Sequence, residues 1–263
     1  MSTLFAVCAI VLYFLAAAVL IGKFVHSEGP NKKLGFILAS VSILAHLGFL
    51  LETIWVAPGQ DMSVTNVLSL VAWIICTAMV AFATIMPNII LLPVVFVFSA
   101  FTVAVAWLVP ASNVMDIQLL PGLVVHITLS LLAYCILVMA FLYAIQMSYI
   151  TYKLKEKAGV LLHSSLPPLM AVESILFKLL VVGTLLLLIS LGSGFVFLDD
   201  MLSTSHAHKT VLSLIALGVF STLLIGQKLK GWRGKQVIVL TIVGVMFLSL
   251  AYFGSKLVRE ILL

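Results

Sequence analysis

The sequence predicts an all-α membrane protein, a bundle of eight transmembrane helices with both termini outside. Its composition, its long apolar segments and the distribution of its basic residues support this. Of the 263 residues, 63% are hydrophobic and 9% are charged, whereas soluble proteins carry about 25% charged residues. We therefore expect one transmembrane domain over residues 1–263. We also expect this domain to be embedded in the lipid bilayer.

The long apolar segments define the expected helices. A helix needs about 20 predominantly apolar residues to cross a bilayer, and eight segments of this kind occur. In chain order they are Thr3 to Gly22, Leu34 to Ile54, Val64 to Ile85, Ile89 to Leu108, Leu123 to Tyr149, Ile175 to Phe197, Thr210 to Gly226 and Val237 to Ser255. An even number of crossings puts both termini on the same side.

Residues at the ends of these segments support their assignment. The first segment has no basic residue before it and no small-residue cleavage pattern after it, so we interpret it as a retained span. Pro87 and Asn88 predict a tight turn between the third and fourth segments. Pro121 and Gly122 mark the point where the chain enters the fifth segment.

Lysine and arginine predict the orientation, because short cytoplasmic loops are enriched in them. One set of loops contains Lys23, Lys32, Lys33, Lys153, Lys155, Lys157, Lys228, Lys230, Arg233 and Lys235. The opposite loops are mainly acidic, so the basic loops are predicted to be cytoplasmic and both termini periplasmic. This topology explains the net charge of +5, which then gives no reason to expect a nucleic-acid partner. The three cysteines show no CxxC or CxxCH spacing, which excludes a thiol redox motif and a covalent haem-attachment motif.

Two histidines within the apolar segments are the main functional candidates, because ionisable side chains inside a membrane are costly and usually serve a function. His46 lies about six residues, roughly 9 Å, from the outer end of the second segment, and His126 lies about one turn, roughly 5 Å, inside the fifth. Ser130 and Tyr134 follow His126 at steps of four residues and share its helix face. This polar stripe should face other helices or a cavity, not lipid.

Three roles remain open for these histidines on the residues alone. Each could form an interhelical hydrogen bond, worth about 0.6 kcal/mol on average in membranes. Each could instead be an axial ligand of haem iron, for which a neutral imidazole is suited. A proton relay is disfavoured, because the middles of the segments contain no aspartate or glutamate.

Short motifs in a fixed order carry a family resemblance. They are PGLVVH at 121–126, LLAY at 131–134, LPPLMAVE at 166–173, LGSG at 191–194, KT at 209–210, GWRG at 231–234 and AYFG at 251–254. In this order they resemble the membrane cytochrome c assembly family that includes CcsA and HemX. The chain looks most like the shorter YpjD-type inner membrane proteins of bacteria, which implies a bacterial inner-membrane location.

The resemblance implies haem as the cofactor, handled at the outer face of the membrane. His126 stands at the family's outer histidine position and His46 at an early-span histidine position, so both are predicted to bind haem. His206 and His208 lie in an outer loop and are further candidate ligands of haem or a divalent metal, with a solvated pair as the alternative. The larger family members carry a tryptophan-rich haem segment here, whereas residues 203–210 read STSHAHKT.

These departures argue against an enzyme that ligates haem to cytochrome c unaided, and no catalytic residue is predicted. Gln227 also stands where the family has a membrane histidine. The sequence hypothesis is a haem-handling or accessory protein of cytochrome c assembly type, with haem and other membrane assembly proteins as partners. The alternative is a transporter, or a transporter-associated subunit, in which the histidines are structural.

Overall fold

The computed structural model describes residues 1–22, 30–56, 59–85, 88–109, 114–115, 121–155, 167–197 and 207–254. The chain divides into two compact units, Met1–Asp116 and Ile117–Leu263. Both are built from long apolar helices, which confirms the all-α membrane class. The assignment of residues 1–263 to a single transmembrane domain stays a prediction.

The first unit is a group of four helices. They are α1 (Ser2–Ile21), α2 (Lys32–Ile54), α3 (Val64–Ile85) and α4 (Leu92–Leu108). Helix α1 packs against α2 and α4, and α3 packs against the same two helices. Tyr13, Phe49 and Phe96 fill the interior as its largest fully buried side chains. Leu44 and Phe101 are at least 60% exposed on the outer surface, as expected for helices whose outer face meets lipid.

A small antiparallel sheet joins the helix ends of the first unit, and it is absent from the elements predicted above. Its strands are β1 (Trp55–Val56), β2 (Gly59–Asp61) and β3 (Val114–Met115), in the order β1-β2-β3. Asp61 connects the sheet to α3, since its carboxylate accepts a 3.0 Å hydrogen bond from the backbone N–H of Ser63. The Asn66 amide donates to the carbonyl oxygens of Asp61 and Thr53. These bonds fix the end of α2 against the start of α3.

The second unit contains four longer helices. They are α5 (Pro121–Lys155), α6 (Leu169–Phe197), α7 (Ala207–Lys230) and α8 (Lys235–Ser249), and α8 continues into a π-helical turn, Leu250–Gly254. Helices α5 and α6 pack together extensively, α8 packs against α5 and α7, and α6 contacts α7. Helix α5 is 35 residues long, roughly 50 Å, so it extends beyond the 27 residues of its predicted segment.

The connection between α7 and α8 is short because two glycines reverse the chain. Gly231 and Gly234 have φ values of 64° and 60°, a region that other residues rarely adopt. The N–H of Gly231 donates to the Gln227 carbonyl and the N–H of Trp232 donates to the Gly226 carbonyl. The Gly231 bond is the αL form of a helix C-cap, and the two bonds satisfy free carbonyls at the end of α7.

Seven of the helices are long and apolar enough to cross a membrane, as judged over the described residues. Helix α4 is the shorter one, with 17 residues, because it starts at Leu92, three residues later than the predicted segment. The count of eight spans therefore stays a prediction, as does the periplasmic location of the termini.

Candidate functional site

His126 is the sixth residue of α5, and its imidazole contacts α6. Pro121 begins the helix, a position where proline is favoured because its missing N–H would have no partner anyway. The Nδ1 atom of His126 lies 2.9 Å from the carbonyl oxygen of Ser190 and 3.4 Å from the Ser193 hydroxyl. Since a carbonyl oxygen can only accept, Nδ1 carries the proton.

The other ring nitrogen of His126 is the chemically available one. In a neutral imidazole protonated at Nδ1, the Nε2 atom keeps its lone pair. The Ser130 hydroxyl lies 3.5 Å from this Nε2 atom, a distance at which a hydrogen bond is weak. The His126 side chain is partly exposed. An Nδ1–H held by a backbone carbonyl is the usual arrangement of metal-ligating histidines, because it fixes the tautomer and the ring orientation.

The polar stripe below His126 faces other helices, as the sequence predicts. Ser130 forms a short hydrogen bond with the Ser190 hydroxyl on α6. Tyr134 forms one of 2.9 Å with Ser249 at the end of α8. The stripe therefore connects α5 to both neighbours, and its polar groups are satisfied within the protein as the bilayer requires.

An aromatic cluster surrounds the lower end of this stripe. Tyr134 stacks on Tyr252 with ring centroids 5.0 Å apart, and Phe253 meets Tyr134 edge-on at 5.6 Å. Both partners lie in the π-helical turn, a distortion that is frequent at functional sites. The Tyr252 hydroxyl is shielded from solvent near Ser130, but it makes no hydrogen bond of ordinary geometry to any described residue. It is thus a buried polar group close to Ser130 of the stripe.

Close packing of α5 on α6 sets the geometry of the site. A Cβ atom at Gly183 would lie 2.7 Å from Cγ of Leu137, and Leu137 is fully buried. Only a glycine fits at this distance. Gly183 lies about two turns from Ser190 on the same helix, so this close contact helps to hold α6 against α5 below the site.

We expect Gly183→Ala to lower the free energy of unfolding by about 1 to 3 kcal/mol, because it overpacks the α5–α6 contact. The measurement is thermal or denaturant unfolding of the purified protein in detergent. Gly192→Ala is the matched control on the same helix, since a Cβ there meets nothing within 4 Å. It should be neutral or slightly stabilising. Equal stability of the two variants would contradict the packing argument.

His46 occupies a different environment in the first unit. It is fully buried on α2, and both ring nitrogens have partners. Its Nε2 lies 2.8 Å from the Ser69 hydroxyl on α3, and its Nδ1 lies 3.2 Å from the Tyr13 hydroxyl on α1. The Tyr13 ring also meets the imidazole edge-on and stacks on Phe96. This geometry favours the interhelical hydrogen-bond role, since a ligand would have to displace Ser69 or Tyr13.

The remaining candidates are His208 and His206. His208 is exposed in the first turn of α7, and His206 lies outside the described residues. Within the described part of the chain, no group of three or more histidine, cysteine or acidic side chains is arranged to hold a metal ion. His46 belongs to the first unit and His126 to the second.

Sequence reasoning missed three residues of this region. Ser190 and Ser193 contact His126, and Tyr252 stacks on Tyr134. The signals were present in the LGSG motif, which contains Ser193, and in the AYFG motif, which contains Tyr252. The sequence did not show which residues Ser193 and Tyr252 would contact.

Comparison with known proteins gives consistent matches over the chain. A family model described as cytochrome C assembly protein matches residues 33–263. The inner membrane protein YpjD of Escherichia coli (strain K12) is 34% identical over 262 residues, which cover 98% of each chain. A 28.8 kDa protein of Azospirillum brasilense, described as uncharacterized and encoded in a nifR3-like 5′ region, is 30% identical over 140 residues, or 52% of each chain. No solved structure matches the chain.

Proposed function

The chain belongs to the cytochrome c assembly protein family, and on that premise we propose that it binds haem near the outer face of the bacterial inner membrane through His126. In this proposal it is not an enzyme. It holds haem or assists other membrane proteins of cytochrome c assembly, because it lacks the tryptophan-rich segment with which larger relatives present haem.

The observation that carries the proposal is the hydrogen bond from His126 Nδ1 to the Ser190 carbonyl. It leaves Nε2 as the nitrogen able to coordinate iron, and it holds the ring in one orientation. A histidine of this kind is a common axial ligand of haem iron. Haem would supply an iron centre, while the protein would supply the ligand, its orientation and a medium of low polarity.

Two further features fit the same group. Tyr252 and Phe253 place aromatic rings beside Tyr134, and flat aromatic surfaces suit a large planar ligand. The shielded hydroxyl of Tyr252 has no hydrogen bond of ordinary geometry to the described residues. This hydroxyl is therefore able to hydrogen-bond to a polar group of a bound ligand.

His46 does not share these features, so we leave it out of the proposed site. Its two occupied nitrogens support the alternative function, a transporter or a transporter-associated subunit, in which buried histidines connect helices. His206 and His208 remain candidates for a second haem contact in the proposed outer loop. The periplasmic placement of this loop and of the termini is part of the proposal and rests on the basic residues of the opposite loops.

The test is a haem titration of the purified protein in detergent, with and without haem supplied to the producing cells. We expect a Soret band that saturates at one haem per chain. The control is the same protein titrated with haem in the presence of excess imidazole, which competes for the iron and should shift the band. A colourless protein that fails to take up added haem would overturn the proposal and favour the transport alternative.

A further inference from the structure

A lateral groove opens between α5 and α8, away from the His126 region. It has a volume of about 390 Å³, within the usual range of small-molecule sites. Its lining residues are Ile145, Ser148, Tyr149 and Tyr152 of α5 and Ile238 and Ile242 of α8. The four α5 residues are exposed. The groove therefore faces the surroundings of the protein and not its core.

Each wall of the groove continues into a lysine at one end. Lys155 follows Tyr152 by three residues and Lys235 precedes Ile238 by three, so each lies on the groove face one helical turn further on. Both lysines are exposed. In addition, the Lys153 ammonium lies 5.8 Å from the centroid of the Tyr152 ring, within cation–π range.

The charge at this end is strongly one-sided. The described residues of the second unit bring together Lys153, Lys155, Lys228, Lys230, Arg233 and Lys235. Over residues 121–155, 167–197 and 207–254 the acidic side chain is Glu173, and it already lies 3.8 Å from Arg233. An occupant of the groove thus meets an apolar channel that ends, among the described residues, at Lys155 and Lys235.

We infer that the α5–α8 groove binds one anionic phospholipid. Its acyl chain lies along Ile145, Ser148 and Ile242, and its phosphate lies between Lys155 and Lys235. Basic pockets between transmembrane helices are suited to anionic headgroups, and tyrosines such as Tyr149 and Tyr152 favour the boundary between acyl chains and headgroups. The site is separate from His126 and does not depend on haem.

The test is native mass spectrometry of the delipidated protein in a neutral detergent. It is titrated with phosphatidylglycerol and with phosphatidylcholine of identical acyl chains. We expect the wild-type protein to bind phosphatidylglycerol on the order of tenfold more tightly. Lys155→Gln/Lys235→Gln should remove most of this preference. Ser148→Phe, which fills the groove without changing the charge, should weaken the binding of both lipids.

The matched control is Lys228→Gln/Lys230→Gln, which removes two charges from the same end but from α7. It should keep the preference within about twofold. Equal losses in the two double variants would show only diffuse attraction of lipid to a basic surface and would overturn the inference. A wild-type protein without preference, or a Ser148→Phe variant that binds normally, would overturn it as well.

Discussion

His126→Ala is expected to lower the affinity for haem by about 100-fold or more, because it removes the nitrogen that would bind the iron. The hydrogen bond to the Ser190 carbonyl, at 2.9 Å, shows that the ring is already oriented before a ligand arrives. Loss of the His126 side chain therefore removes both the proposed iron ligand and its fixed orientation. The measurement is a haem titration followed by absorption spectroscopy.

Two readouts separate coordination from a general effect on folding. Added imidazole should restore the Soret band of His126→Ala, since it can occupy the space left by the side chain, whereas a misfolded variant would not respond. His46→Leu is the control, because it removes a membrane histidine that lies outside the proposed site. A His126→Ala variant that binds haem like the wild type would remove His126 from the site.

His46→Leu is expected to destabilise the protein by about 1 to 3 kcal/mol while leaving the haem spectrum unchanged. The substitution strips the Tyr13 and Ser69 hydroxyls of a partner inside a fully buried region, and an unsatisfied buried group costs this much. The buried apolar surface of the new leucine offsets only part of the stability that these hydrogen bonds contribute. The free energy of unfolding in detergent is the quantity to measure.

Tyr13→Phe tests the same hydrogen bond as His46→Leu from its other side. It removes one hydroxyl but keeps the ring that stacks on Phe96, so we expect a smaller loss of about 0.6 kcal/mol. The double variant should be less destabilised than the sum of the two, because the hydrogen-bonded pair is shared. A His46→Leu variant of normal stability without a Soret band would identify His46 as a haem ligand.

Much of the fold could be predicted from the sequence because each membrane helix corresponds to one continuous apolar segment. Helix α3 has the predicted bounds, Val64 to Ile85. Helices α5 and α6 are longer than predicted, since α5 continues past its apolar segment to Lys155 and α6 already begins at Leu169. The small sheet was missed because its strands are two or three residues long, too short for a periodic pattern.

The candidate site could be predicted only in part. The spacing of His126, Ser130 and Tyr134 was enough to place them on one face, because it depends on helix geometry alone. Their partners Ser190 and Ser249 are distant in the sequence, and no local pattern specifies a contact of that range. The same limit applies to His46. Its burial between Tyr13 and Ser69 could not be read from the apolar sequence around it.

The 17 residues of helix α4 have a consequence for the lipid around the protein. At 1.5 Å per residue, a helix of this length spans about 25 Å, whereas the hydrocarbon layer is roughly 30 Å thick. Such hydrophobic mismatch is relieved when the adjacent lipids thin or when charged and aromatic flanks reach for the interface. If α4 crosses the membrane as predicted, the lipids beside it must thin, whereas α1, α2 and α3, with 20, 23 and 22 residues, match the full thickness.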